Sequence, residues 1–139
     1  MRFAVAVLLA VAAGCGRATE HTDITGANVQ AVAGDTVTLR IGDTAVLGDV
    51  VRLTFLAVEG DSRCPLNVQC VWEGDAELRL RAQQAPGDSS DLVLHTTVQP
   101  RATTVGEFRI EVVGLEPQPV QGEPIEPQHY SVRLAISRG

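Results

Sequence analysis

The sequence predicts an all-β protein: a single antiparallel β-sandwich of about seven strands over residues 35–139. Three observations predict this fold. From residue 35 onward, apolar and polar side chains alternate in steps of two, which is the period of a half-buried strand. Gly-Asp pairs and prolines interrupt the alternation at intervals typical of turns. No segment after the N-terminal apolar run keeps a helical period. A small β-barrel is the alternative architecture.

The first residues are typical of an export signal followed by a lipid-modified cysteine. Arg2 precedes an uninterrupted apolar run over residues 3–13, which is too short to span a bilayer. Small residues stand directly before Cys15. This arrangement resembles the lipobox of bacterial lipoproteins, in which the cysteine is diacylated and becomes the mature N-terminus. We therefore expect residues 1–14 to be a lipoprotein signal peptide and Cys15 to be the lipidation site; an ordinary cleaved signal and a short buried helix are the alternatives.

The residues after Cys15 predict where the protein is held. Two or three acyl chains on one residue anchor a protein stably in a membrane. Gly16 stands where an Asp would favour inner-membrane retention in Gram-negative lipoproteins. We therefore expect an exported, lipid-anchored protein of the bacterial cell envelope, in the outer membrane if the organism is Gram-negative. Residues 15–34 are predicted to be the lipidated cysteine and a flexible tether. His21 is predicted to be a solvated tether residue, with a metal ligand as the alternative.

The assignment of Cys15 to lipid leaves two of the three cysteines for the folded domain. Cys64 and Cys70 are separated by only five residues, and export places them in an oxidising compartment, so we predict that they form a disulfide. The chain has no C-x-x-C redox motif, and two thiols without a nearby histidine provide half a zinc site. Closing so short a loop stabilises a fold by only about 2.4 kcal/mol in the chain-entropy model. The bridge is therefore predicted to be a local staple.

About seven strands are predicted. Four of them, residues 51–57, 76–81, 108–112 and 130–136, place apolar residues on one face and polar residues on the other, as half-buried antiparallel strands do. The other candidates are residues 36–41, 44–47 and 91–98. Six Gly-Asp pairs, whose glycines are residues 34, 42, 48, 60, 74 and 87, are predicted to be turns.

Three further features carry alternative interpretations. Trp72 is predicted to pack against the disulfide, with a sugar-stacking surface position as the alternative. Glu59-Gly60-Asp61 and Glu73-Gly74-Asp75 resemble acidic calcium turns, but such a site needs six to eight oxygens and the chain has no D-x-D-x-D-G run, so no metal site is predicted. Residues 116–128, with four prolines, are predicted to form an extended loop. We call it the Pro-rich loop; it is either functional or a connection between sheets.

Catalysis and nucleic-acid binding are disfavoured. The sequence has no G-x-S-x-G, H-E-x-x-H or phosphate-binding glycine motif. A catalytic triad of Asp91, His95 and either Ser89 or Ser90 is disfavoured. Copper binding is also disfavoured, because the only Met is the initiator. A net charge of -6 and an aromatic content of 4% exclude nucleic acid as a partner. We predict no catalytic residues and no cofactor.

One segment resembles a known group of proteins. Asp61-Ser62-Arg63-Cys64-Pro65 followed by Cys70-Val71-Trp72-Glu73-Gly74-Asp75-Ala76 is similar to the DSRCP…C-x-W-x-G-x-A loop of a group of uncharacterised bacterial lipoproteins. The resemblance implies a small exported β-domain with a loop closed by cysteines. It implies no catalytic residues.

These observations predict a non-catalytic binding or interaction module that uses residues 61–75, which we call the stapled loop. A loop held rigidly on a sandwich commonly carries function. The partners are expected to be the membrane, through the N-terminal lipid, and a protein or glycan. The alternative is a purely structural envelope domain, and a metal-binding module or an enzyme is less favoured. The candidate binding residues are Asp61, Arg63, Leu66, Asn67, Val68 and Trp72.

Overall fold

The computed structural model describes residues 26–84 and 86–139, and in these residues nine strands form two sheets. The predicted β-sandwich is confirmed, and the sheets are not closed into a barrel. The strands are β1 (Asn28–Ala31), β2 (Thr36–Arg40), β3 (Thr44–Leu47), β4 (Val51–Asp61), β5 (Ala76–Gln84), β6 (Asp88–His95), β7 (Ala102–Val105), β8 (Phe108–Glu116) and β9 (Ser131–Arg138).

One sheet has the order β1-β3-β4-β5-β6 and the other the order β2-β9-β8-β7. All strand pairs are antiparallel except β1 with β3. The two-residue alternation explains the packing: in β4, Val51, Leu53 and Phe55 are buried, whereas Arg52 between them is exposed. The same pattern recurs in β5, β8 and β9, which together with residues of the other strands supply the rest of a core made mainly of Val, Leu and Ile.

The domain begins earlier than residue 35. Strand β1 lies in the segment predicted to be a tether, and its last residue, Ala31, is only 4% exposed. The strand has only four residues, and two of them, Asn28 and Gln30, are polar, so its sequence gives too short a pattern to predict a strand. The tether prediction is therefore wrong for residues 28–31. The signal peptide, Cys15, His21 and the first part of the tether lie outside the described residues.

Several strand bounds also differ from the predictions. Strand β6 begins three residues before the predicted strand and ends at His95, and β7 was not predicted. Gly60 is not in a turn: it lies in β4, at an irregularity in the pairing with β5. The glycines of the other five Gly-Asp pairs have positive φ, as turns require.

Both loops of interest lie at one end of the sandwich. The stapled loop joins β4 to β5, and the Pro-rich loop joins β8 to β9. Ser131, the first residue of β9, pairs with Arg40 on one side and Glu116 on the other. The same end therefore holds the β2–β3 turn. A single-turn 3-10 helix, Pro127–His129, is the one helix among the described residues, and none of them forms a helix long and apolar enough to cross a membrane.

Candidate functional site

The predicted disulfide closes the far part of the stapled loop. Cys64 and Cys70 are bonded, with their Cα atoms 6.0 Å apart, which confirms the pairing. Between the two cysteines, the amide of Val68 donates to the carbonyl of Pro65 at 3.1 Å and forms a turn. The segment between the cysteines is thus held both by a covalent bond and by a backbone turn.

The two legs of the stapled loop continue to pair beyond the ends of β4 and β5. The amide of Ser62 donates to the carbonyl of Asp75 at 2.7 Å, and the amide of Cys64 donates to the carbonyl of Glu73 at 2.8 Å. This close approach depends on Gly74, whose φ is +72°, because a Cβ at that position would lie 2.0 Å from the carbonyl oxygen of Ser62. The base of the loop is therefore a narrow ribbon.

A buried ion pair between Arg63 and Asp61 holds the base of the stapled loop in place. Arg63 donates from Nε to Oδ1 of Asp61 at 2.8 Å and from Nη2 to Oδ2 at 2.6 Å. The Asp61 carboxylate also accepts the Tyr130 hydroxyl at 3.0 Å. Arg63 further donates to the carbonyls of Leu115 at 2.6 Å and Pro117 at 2.9 Å. One guanidinium thus ties the stapled loop to the end of β8 and to the Pro-rich loop.

Asp61 and Arg63 were predicted to be binding residues, but the structure places them inside. Their side chains are 11% and 7% exposed, and their polar groups are occupied by each other and by the backbone. They have little surface left for a ligand. Their role here is to position the loop. Arg63 does so through the carbonyls of Leu115 and Pro117, which lie more than fifty positions away in the sequence.

The pair shifts the ionisation of two groups. Burial alone would raise the pKa of Asp61, but hydrogen bonds and charge from Arg63, with a further hydrogen bond from Tyr130, hold it below its usual range. The pKa of Tyr130 is raised, first by burial and then by its hydrogen bond to the Asp61 carboxylate. Asp61 therefore stays ionised and Tyr130 stays protonated at neutral pH.

A second polar cluster fixes the other leg. Asp75 accepts the amides of Thr97 at 2.9 Å and Val98 at 3.3 Å, and its Oδ2 lies 2.7 Å from Nδ1 of His95. Although burial alone would raise the pKa of Asp75, these amides and His95 hold it below its usual range. Asp75 thereby binds the stapled loop to the segment that follows β6.

The disfavoured catalytic triad is not assembled in the structure. His95 contacts Asp75, whereas Asp91 pairs with Arg81. Ser90 on β6 pairs with Ala82 on β5. Asp61 and Asp75, the carboxylates of the two acidic turns, are each engaged by the groups described above. Within residues 26–84 and 86–139, no three or more His, Cys, Asp or Glu side chains come together as a metal site.

The Pro-rich loop runs beside the stapled loop. The amide of Leu66 donates to the carbonyl of Pro119 at 2.9 Å, and the amide of Gln121 donates to Oδ1 of Asn67 at 2.8 Å. Asn67, a predicted binding residue, therefore helps to join the two loops. Val68 is half-buried. Asn67, in contrast, remains exposed to solvent although its Oδ1 is hydrogen-bonded.

The stapled loop exposes three large apolar side chains, together with the polar Asn67 and Gln69. Leu66 is 71% exposed, Val71 104% and Trp72 57%. We call these three residues the apolar tip. Trp72 is not a core residue, so its exposure favours the surface alternative over packing against the disulfide. Val71 was missing from the predicted set; its position between Cys70 and Trp72, outside any alternating strand, was the available signal.

Exposed carboxylates lie in both loops. Glu73 follows Trp72, Glu116 precedes the Pro117 carbonyl that Arg63 binds, and Glu123 is bridged to Val120 beside the Leu66 contact. All three are exposed, and none forms an ion pair with any other described residue. We call them the acidic rim. A shallow groove of about 280 Å³ lies between Glu73 and Gln118, with Leu115 among its lining residues.

Comparison with protein-family models, with curated proteins and with solved structures gave no match for this chain. The site therefore has to be interpreted from its own geometry.

Proposed function

We propose that the protein is an exported, lipid-anchored envelope domain that acts as a non-catalytic binding module through its stapled loop. The observation that carries the proposal is the contrast between the loop's two parts. At its base, Arg63 is hydrogen-bonded to Asp61 and to a backbone carbonyl, whereas its tip exposes a Trp, a Leu and a Val to solvent. An apolar surface held in place in this way favours association.

The rigid base supports binding in energetic terms. Association costs conformational entropy when loops become ordered, and a loop that is already ordered avoids much of that cost. The stapled loop is fixed by the disulfide, by the paired legs, and by Arg63 and Asp75. These supports leave the apolar tip uncovered. A purely structural connection would gain stability by burying Trp72, since aromatic side chains contribute large buried areas.

Export and anchoring rest on the N-terminal sequence. The apolar run, the small residues before Cys15 and the resemblance of the stapled loop to that of bacterial lipoproteins all support them. The test is the replacement Cys15→Ser in the full chain. We expect the wild-type protein to fractionate with membranes and to carry the mass of added acyl groups, and the variant to lose both properties. Wild-type protein that is soluble and unacylated would contradict the anchoring.

Binding through the apolar tip is tested by cross-linking in cells. A photo-reactive amino acid at position 71, which is fully exposed, should give adducts, whereas the same residue at position 93 on β6 should not, although Val93 is also exposed at 42%. Leu66→Ser combined with Trp72→Ser should abolish the adducts.

The matched control is Val32→Ser combined with Val50→Ser, which alters two exposed apolar residues outside both loops. Both double variants should unfold at nearly the wild-type temperature, and only the tip variant should lose the adducts. A large fall in unfolding temperature for the tip variant, with no adduct lost, would instead support the purely structural domain.

A further inference from the structure

We infer that the ligand of the apolar tip is a lipid surface, that of the membrane to which the chain is anchored, and that the domain stands on this membrane tip-first. The inference rests on the proposed function, because it takes both the lipid at Cys15 and binding through the stapled loop from it. It adds the chemical class of the ligand and the orientation of the domain. Four observations carry it.

The first observation is where the chain enters the domain. The amide of Ala27 donates to Oδ1 of Asp43 at 2.7 Å, and the carbonyl of Ala27 accepts the amide of Thr44 at 2.9 Å. The chain therefore comes in beside the β2–β3 turn. That turn follows Arg40, which pairs with Ser131, and the neighbouring Tyr130 donates to Asp61 at the base of the stapled loop.

The lipid-bearing N-terminus and the apolar tip thus approach the membrane from the same end of the sandwich. Residues 16–27 separate Cys15 from the first strand. Even fully extended, twelve residues span no more than about 43 Å. Acylation at Cys15 therefore limits how far this end of the domain can lie from the lipid surface.

The second observation is the chemistry of the tip. Residues 64–72 carry no charged side chain in a chain whose net charge is -6. Insertion of this segment among lipid headgroups does not require any charge to be dehydrated. Trp72 has an apolar ring with one N–H donor, the combination that places Trp at membrane interfaces. Leu66 and Val71 expose aliphatic surface on the same loop.

The third observation is the acidic rim. Glu73, Glu116 and Glu123 are exposed without ion pairs among the described residues, and like charge repels an anionic surface. The lipid surface that fits is therefore zwitterionic. This preference is opposite to that of basic membrane-binding segments, which require anionic lipid.

The fourth observation is the small size of the apolar tip. Three side chains give weak binding from solution. Anchoring at Cys15 makes the contact intramolecular, however, and an effective concentration in the millimolar range allows a weak contact to be occupied. The tip is thus suited to orient an anchored domain and unsuited to recruit a free one. It is also small enough not to cause aggregation of the chain.

The experiment uses the only Trp in the chain as its reporter. The acylated full-length protein is reconstituted in vesicles of phosphatidylcholine, with and without phosphatidylcholine brominated on its acyl chains. We expect the emission of Trp72 to shift to shorter wavelength and to lose most of its intensity with the brominated lipid. Replacing a third of the lipid with phosphatidylglycerol should reduce the quenching, and added salt should restore it.

The variants keep Trp72 as the reporter. Val71→Asp places a charge in the apolar tip and should abolish the quenching, and Leu66→Asp provides a second such variant if the first does not fold. Val93→Asp, on the exposed face of β6, is the matched control and should quench as the wild type does. Circular dichroism of each variant checks that the sandwich is intact.

Two results would overturn the inference: Trp72 emission that is the same in vesicles and in buffer, or quenching that Val71→Asp leaves unchanged. Adducts from position 71 to a protein, together with unquenched Trp72, would overturn the lipid assignment while leaving the proposed function in place. Absence of acylation at Cys15, seen by mass, would contradict the anchoring itself. Failure of the inference and failure of the proposed function are therefore separately visible.

Discussion

Arg63 and Asp61, two positions apart in the chain, form a bidentate ion pair whose side chains are only 7% and 11% exposed. The pair would be expensive to bury if its remaining donors lacked partners. Arg63 also donates to the backbone carbonyls of Leu115 and Pro117, and the Tyr130 hydroxyl donates to the Asp61 carboxylate. The orientation of the stapled loop is therefore set by polar contacts to the other sheet.

The first prediction concerns this pair. Arg63→Met keeps much of the side-chain length but leaves the Asp61 carboxylate buried without its cation. We expect the free energy of unfolding to fall by about 3 kcal/mol, the cost typical of breaking a buried pair from one side. Denaturant unfolding measures it.

The matched control for that prediction is Arg81→Met. Arg81 pairs with Asp91 in a similar bidentate manner on the exposed face of β5 and β6, where water screens the interaction. This variant should unfold almost as the wild type does. If the two variants lost the same free energy of unfolding, the buried position of the Arg63 pair would not add to its stabilising effect.

Sequence patterns captured the strands whose residues alternate cleanly. Strand β4 was predicted from Val51, Leu53 and Phe55, because one face of the strand is buried and the other is exposed to solvent. Strand β1 was missed because its four residues contain only two apolar side chains, Val29 and Ala31, and it is stabilised by parallel pairing with β3 that no local pattern encodes.

The site was only partly predictable for a different physical reason. The disulfide follows from two nearby cysteines, and it is confirmed. Arg63 is buried against carbonyls more than fifty residues away, and Trp72 is 57% exposed. Composition alone makes an Arg look like a surface residue and a Trp look like a core residue. Long-range contacts bury Arg63, whereas Trp72 lies outside the core.

The second prediction is an acid dependence of stability. The folded-state pKa of Asp61 lies below the model-peptide value of 3.8 because Arg63 outweighs the effect of burial. A depressed folded pKa stabilises the fold above the unfolded pKa, and that stability is lost as the pH falls through the folded value. We expect the loss to occur below pH 3.8.

The comparison that isolates Asp61 is Asp61→Asn, measured by denaturant unfolding at neutral pH and across the acid range. The variant should be less stable than the wild type at neutral pH, and the gap should narrow as the pH falls below 3.8. Asp75 also has a depressed pKa, so both proteins should still lose stability in acid. A gap that stays constant with pH would contradict the assignment to Asp61.

The third prediction concerns Tyr130, which is the only Tyr in the chain, so that tyrosinate absorbance reports on this group alone. Burial and the hydrogen bond to Asp61 raise its pKa above 10.0. We expect the native titration midpoint to exceed 10.0 and to fall toward that value in Asp61→Asn. A raised folded pKa means that the contribution of Tyr130 to stability is present below pH 10.0 and is lost as the pH rises through the folded value. A midpoint that does not change in the variant would mean that burial alone sets it.

The last prediction tests the narrow ribbon at the base of the stapled loop. Gly74→Ala must accommodate both a positive φ and a Cβ placed 2.0 Å from the carbonyl oxygen of Ser62. Gly87→Ala shares only the first cost, since its φ is +97° and no atom lies within 4 Å of its added Cβ. We expect Gly87→Ala to reduce the free energy of unfolding by about 1 kcal/mol, the usual penalty of a left-handed alanine. Gly74→Ala should cost at least about twice as much, because the legs of the loop must separate and lose the Ser62 hydrogen bond to Asp75. Amide hydrogen exchange at Ser62 should then be faster in Gly74→Ala and unchanged in Gly87→Ala, and equal exchange in the two variants would refute the close approach.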